Sequence, residues 1–358
     1  MSDIPNKTAA APSEGANVSI ESVLGIREQS LWQQLLSSQA FWVAIALVVI
    51  CLLMGLREPR FASEDNFYNI TRNFAFIGIM AIGMTAVIIT GGIDLSVGSI
   101  MGVVAVASGL TLEAHYPWYA ALATGLAAGG IAGAINGFLI AYVGLSSFVV
   151  TLGMYSAARS IAVVLSGNRM LYEFGEGGEV FKRIGAGAVL GIANPFWFML
   201  ILTTVFAVVM RMSTWGRHLL AIGGNEQAAI LTGVPVKRVK LQAYIFSALM
   251  AAVSAILSVG WTGSAINALG QGYELRAIAS TVIGGANLMG GEGTAFGAFI
   301  GSTLIFVIRN SLLMAGVDSN WQGMFVGAFI ILAVLLGMQT DGKSLLATLR
   351  QLVGRPGG

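Results

Sequence analysis

The chain has 358 residues, of which 56% are apolar and only 10% charged, with a net charge of +2; an average soluble domain is about 25% charged. That composition places it among membrane proteins and argues against a nucleic-acid partner, because no Lys/Arg cluster is interleaved with aromatic residues. One cysteine, Cys51, and two well-separated histidines, His115 and His218, offer neither an intrachain disulfide nor a metal site.

Residues 1–39 are expected to form a disordered cytoplasmic tail, since the first 20 are mostly Ser, Ala, Pro, Asn and Gly and cannot bury enough apolar surface to fold. Between Ser22 and Ser38, residues Leu24, Leu31, Trp32 and Leu35 recur near helical spacing, which predicts a partly amphipathic lead-in helix. No short basic leader directly precedes the first apolar run, so it reads as a span and not as a signal peptide. Spans are predicted at Ala40–Leu56, Asn73–Thr90, Val97–Leu112, Tyr119–Val143, Phe148–Leu165, Pro195–Met210, Leu241–Trp261, Leu275–Met289, Thr294–Met314 and Trp321–Met338. The expected fold is therefore all-α: a polytopic integral membrane protein of about ten transmembrane helices with broken, glycine-rich segments. Its membrane domain covers 40–338, with a loop at 211–240, and residues 339–358 form a second cytoplasmic tail.

Between the second and third spans lie Gly91, Gly92, Asp94, Leu95, Ser96 and Gly98. An ionised Asp within hydrocarbon costs roughly 2.5–3.5 kcal/mol on insertion scales. The flanking glycines let the backbone turn, so that nearby N–H groups can solvate the carboxylate. The motif predicts a helix break buried in protein, with Asp94 fixing the break in preference to carrying a proton. A similar glycine spacing recurs at Gly284–Gly291. Both copies fall at the inner ends of predicted spans, an arrangement that a simple inverted repeat does not produce.

An even number of spans puts both termini on one side. The segment from Arg211 to Lys240 also holds Arg217, Lys237 and Arg238 against the single acid Glu226, which places it and both termini in the cytoplasm. Tyr116 and Trp118 then fall at the outer interface. Within this loop, Gly223 and Gly224 break the chain, Asn225 can cap, and Glu226 to Leu231 makes a short helix ended by Gly233 and Pro235. Such a capped helix is a suitable lever for a soluble partner.

The loop resembles the coupling segment of ABC importer permeases at Gly224, Asn225, Glu226, Ala228, Ala229 and Gly233, although Gln227 separates the acid from the alanines. The similarity is closer to the ribose-type branch. It is carried by Gly91–Ser99, by Ile135-Asn136-Gly137 through Thr151-Leu152-Gly153-Met154, by Gly216-Arg217 through Glu226, and by Gly272-Tyr273-Glu274-Leu275 through Gly284-Gly285. The resemblance implies a bacterial inner-membrane permease that pairs with a second permease copy, an ABC ATPase and a periplasmic sugar-binding protein. ATP and magnesium would be bound by the ATPase, and this chain would hold no cofactor and no catalytic residue. In keeping with that division, no GxxxxGK[ST] phosphate loop occurs.

A sugar path needs hydrogen-bonding groups of modest charge together with aromatic faces. The candidates are Asn136, Thr151, Arg159, Trp261, Asn267 and Glu274. The competing reading is an ion-coupled secondary transporter of a small polar solute, with Asp94, Arg159 and Glu274 as coupling groups. An intramembrane enzyme would need a nucleophile and base at usable spacing, and none is evident.

Overall fold

The computed structural model describes residues 38–318 together with Trp321, Gly323, Met324, Gly327, Ala328 and Ile331. The tail through Ser37, most of the Trp321–Met338 span and the 339–358 tail lie outside the described residues. The helices are α1 (Gln39–Arg57), α2 (Glu64–Ile89), α3 (Val97–Glu113), α4 (Trp118–Phe138, continued by a wide turn to Val143), α5 (Ser147–Ser166), α6 (Gly175–Gly185), α7 (Asn194–Met212), α8 (Thr214–Gly224), α9 (Glu226–Leu231), α10 (Val236–Thr262), α11 (Tyr273–Ile283) and α12 (Ala295–Met314). A two-stranded hairpin, β1 (Ala188–Val189) and β2 (Ile192–Ala193), joins α6 to α7. Among the described residues, 7 helices are long and apolar enough to cross a membrane, and α3 is a shorter apolar helix. The fold is that of an all-α polytopic membrane protein.

The centre of the bundle is the antiparallel pair α2 and α10. Ser254 on α10 donates its hydroxyl to the Phe76 carbonyl at 2.9 Å, and Gly83 on α2 lies against Ser247 and Met250. Of the apolar window of α2, 89% is buried, against 6% for α1, so α2 is the core element and α1 lies at the periphery. Helix α2 starts earlier than its hydropathy suggests because Ser63 caps it, accepting from the Asn66 N–H at 3.3 Å, while Glu64 and Asp65 complement the positive end of the dipole at its first turn.

Helix α4 packs on α10 through Gly125, Gly129, Gly133 and Gly137, whose spacing of four presents one bare backbone face. A Cβ on Gly133 would come within 2.6 Å of the Ala248 Cβ and 2.7 Å of the Tyr244 carbonyl oxygen. In lipid, where apolar side chains gain nothing by leaving their solvent, such close backbone packing holds helices together.

Two interruptions shape the interior. Helix α2 ends at Ile89, residues 90–96 turn back into the bundle without helical structure, and α3 begins at Val97. Helix α10 ends at Gly263 in the left-handed conformation (φ 64°), residues 263–272 re-enter from the opposite side, and α11 begins at Tyr273. The span expected at Leu275–Met289 is therefore not a continuous helix. At 11 residues α11 is too short to cross alone, and it is preceded by a run of turns over 267–272. Because α2 and α10 run in opposite directions, the segments that follow them, 90–96 and 263–272, lie at opposite ends of that pair.

Candidate functional site

Asp94 is fully buried. Its Oδ1 accepts from the Ser96 N–H at 3.0 Å and the Ser96 hydroxyl at 2.6 Å, and its Oδ2 accepts from the Ser247 hydroxyl of α10 at 3.1 Å. Asn136 of α4 donates to the Ser96 hydroxyl at 2.8 Å, and Thr151 of α5 donates to the Ile93 carbonyl at 3.3 Å. The carboxylate thus acts as an acceptor hub for a backbone turn that could not otherwise stay in a dry environment. Gly91 takes φ 76°, a conformation that side-chain-bearing residues avoid, and it starts the turn.

The second break lies along α3. Ala265 packs at Gly109, the Asn267 carbonyl at Gly102, and Gly270 and Glu274 at Gly98. Three glycines on one helix leave room for another backbone segment to lie directly on it. Leu171 pairs with Ala265 as an isolated antiparallel bridge, with N···O distances of 3.0 and 2.8 Å, satisfying part of that backbone. Arg159 holds the remainder. Its Nη1 donates to the carbonyls of Asn267 and, at 3.2 Å, of Leu269, while Nη2 donates to the Gly98 carbonyl at 3.3 Å. One guanidinium therefore clasps the re-entrant segment to the first turn of α3. Glu274 lies within electrostatic reach of Arg159, and its Oε2, at the Gly98 backbone, is buried without a hydrogen-bond partner among the described residues.

The six residues proposed to line a path fall mainly at these two breaks. Asn136 and Thr151 brace the first. Arg159 and Glu274 meet at the second, and Asn267 donates its side-chain amide to the Ser166 hydroxyl at 3.2 Å and to the Asn168 amide oxygen at 3.1 Å. Trp261 stands apart at the end of α10, with the Arg72 guanidinium 4.1 Å from its ring centroid and Phe76 beside it.

The third part of the site is the basic segment. Asn225 caps α9, accepting from the Ala228 N–H at 3.0 Å. Both carboxylate oxygens of Glu226 accept from Lys240 at 2.8 Å, tying α9 to the first turns of α10. Ala229 is buried, so it faces the protein, whereas Gln227, Ala228, Ile230 and Leu231 face outward. Leu231 is 87% exposed and Ile230 is 50% exposed.

Residues 66–334 match the family described as branched-chain amino acid transport system, permease component. The ribose import permease RbsC of Escherichia coli (strain K12) is 34% identical over 293 residues, covering 82% of this chain and 91% of that protein. The chain belongs to the ribose-type ABC importer permeases. Two more relatives of this kind are similar. The probable ABC transporter permease y4mJ of Sinorhizobium fredii (strain NBRC 101917 / NGR234) is 38% identical over 295 residues, covering 82% of this chain and 87% of that protein. The autoinducer 2 import system permease LsrD of Photorhabdus temperata is 35% identical over 299 residues, covering 82% of this chain and 90% of that protein.

In this permease several functional candidates carry no sequence signal of their own. Ser247, the second support of Asp94, sits inside an apolar run, and only a hydroxyl on the face of α10 that meets the break distinguishes it. Ile230 and Leu231 read as the apolar side of a short helix, but among the described residues neither belongs to a core cluster. Both are exposed, beside the basic residues of the loop.

Proposed function

We propose that this permease forms the inner-membrane pathway of an ATP-driven importer for a monosaccharide or related polyol delivered by a periplasmic binding protein. The observation that carries this reading is the capped helix α9, which presents Ile230 and Leu231 outward from the basic loop while Lys240 and Asn225 hold it rigid. A rigid, exposed apolar knob is what an ATPase groove needs in order to push on the membrane domain. On this account the loop and both termini are cytoplasmic, in accord with its basic composition. A second permease copy completes the pathway, and ATP and magnesium are bound by two copies of the ATPase. The relatives named for ribose import support a sugar as cargo.

Alternating access follows from the same parts. Closure of the ATPases moves α9, the helices around the two breaks rock, and the mouth beneath the docked binding protein opens. Asp94 is unsuited to ion coupling because both of its oxygens are already held by hydroxyl and amide donors.

Reconstitution tests this reading. Proteoliposomes holding the permease with its ATPase are expected to take up radiolabelled ribose or a related sugar only with lumenal ATP and external binding protein, and to be insensitive to a protonophore. Uptake by the permease alone, abolished by the protonophore, would replace the importer with an ion-coupled carrier.

A further inference from the structure

Three backbone segments cross at one point beneath the membrane breaks, and each contributes glycine. Gly291 donates its N–H to the Ile89 carbonyl at 2.9 Å. Gly223, near the end of α8, lies so close to both that a Cβ there would overlap the Ile89 carbonyl oxygen and the Gly291 nitrogen. Gly290, at φ 95°, faces Gly223 and Gly91, and a Cβ on it would stand 3.0 Å from the Gly223 Cα and from the Gly91 nitrogen. The Gly91–Gly98 and Gly284–Gly291 segments thus come together at Gly223.

We infer that Gly223, Gly290 and Gly291 form a rigid backbone joint that conveys displacement of α9 to both membrane breaks. This inference rests on the importer reading above. Contacts between main chains lack the slack of rotatable side chains, so displacement at one is displacement at the others. Helix α9 begins at Glu226, directly after Asn225, whose N–H is bonded to the Ala221 carbonyl at 3.1 Å. From the joint one route runs through Ile89 and Gly91 into the Asp94 turn and on to Gly98. The other runs through the loop 284–293 into α11. That loop is itself locked, because the Asn287 N–H donates to the Glu292 carbonyl at 3.1 Å and the Asn287 side chain accepts from the Met289 N–H at 2.9 Å. The second route reaches Glu274, which abuts Gly98. Both routes therefore end at the same turn of α3, under the Arg159 clasp, and Gly223 and Gly290 are positioning residues for the transport cycle.

Two helical glycines provide a matched test. Gly223 in α8 and Gly130 in α4 both lack a positive φ, but a Cβ at Gly130 meets only Leu249 Cδ2, at 3.7 Å. Alanine favours the helix at either position. In nanodiscs holding the permease, its ATPase and its binding protein, Gly223→Ala is expected to retain ATPase stoichiometry and basal hydrolysis. Stimulation by the binding protein should fall about tenfold, while Gly130→Ala behaves as wild type. Stimulation of Gly223→Ala equal to that of wild type would overturn the inference. Should Gly223→Ala not assemble, spin labels at Gln227 and Met289 in an otherwise unchanged permease decide the matter. Their separation is expected to stay fixed between the nucleotide-free and ATP-trapped states while a Gln227–Tyr116 pair moves, and a Gln227–Met289 distance that changes with nucleotide overturns the joint. A wild-type preparation that recruits no ATPase refutes the importer reading itself, before any variant is compared.

Discussion

Ser247 donates its hydroxyl to the Asp94 carboxylate at 3.1 Å, joining the central helix α10 to the turn that interrupts α2 and α3. A buried carboxylate with three donors organises backbone, and replacing it leaves each donor unpaired at a cost of about 1–3 kcal/mol. Asp94→Ala is therefore expected to lower the thermal midpoint in detergent sharply. Asp94→Asn, which keeps one acceptor oxygen, should fall between that variant and wild type. Fluorescence-detected unfolding measures both. Equal midpoints for Asp94→Ala and wild type would remove the hub from the account.

Arg159 is expected to act on the re-entrant segment and not on solute. Charged hydrogen bonds contribute about 1.5–3 kcal/mol each, and Arg159→Ala frees the carbonyls of Asn267, Leu269 and Gly98. An Asn267→Cys reporter should then react faster with a membrane-impermeant maleimide, and Arg159→Lys should restore protection only in part, because an ammonium lacks the guanidinium fork. Unchanged labelling in Arg159→Ala would show that the segment is held by its bridge to Leu171 alone.

The glycine face of α4 gives a paired stability prediction. A Cβ at Gly133 meets Ala248 at 2.6 Å, whereas one at Gly130 has Leu249 Cδ2 at 3.7 Å as its nearest neighbour. Gly133→Ala is expected to destabilise by about 1–3 kcal/mol through overpacking, and Gly130→Ala to be neutral or slightly stabilising through helix propensity. Thermal midpoints measured in one detergent should separate the two variants.

The Glu226–Lys240 pair is partly exposed, so its direct contribution to stability is small, about 0–1 kcal/mol. Its expected effect is on coupling. Reversing either charge should reduce binding-protein-stimulated hydrolysis without lowering the thermal midpoint, and the exchanged pair Glu226→Lys with Lys240→Glu should recover it. Failure of the exchanged pair would mean that the Glu226 carboxylate is read directly by the partner.

Much of this architecture was legible in the sequence because lipid imposes simple rules. Uncharged runs mark the helices, and the isolated Asp94 among glycines marks the break. The short helix Glu226–Leu231 follows from its cap and its terminating glycine. The second break was not legible. Leu275–Met289 has the composition of a span, and the path of the turns at 263–272 depends on glycines at 98, 102 and 109, far away in the chain. The inward turn of Ala229 was hidden for a similar reason, since a six-residue helix has too few positions to define its buried face. Polar residues picked out as path-lining were recognised as unusual, but their hydrogen-bond partners are mostly main-chain atoms, to which side-chain patterns are blind.

If α9 delivers force from an ATPase, the two proteins must co-purify. The tagged permease is extracted from its native membrane into nanodiscs, and its partners are identified and counted by mass spectrometry. An ABC ATPase is expected at near-equal stoichiometry, lost when Ile230 and Leu231 are both replaced by Asp while the permease remains monodisperse. A permease that purifies without an ATPase, or one that keeps it after both replacements, would show that α9 is not the site of force transfer.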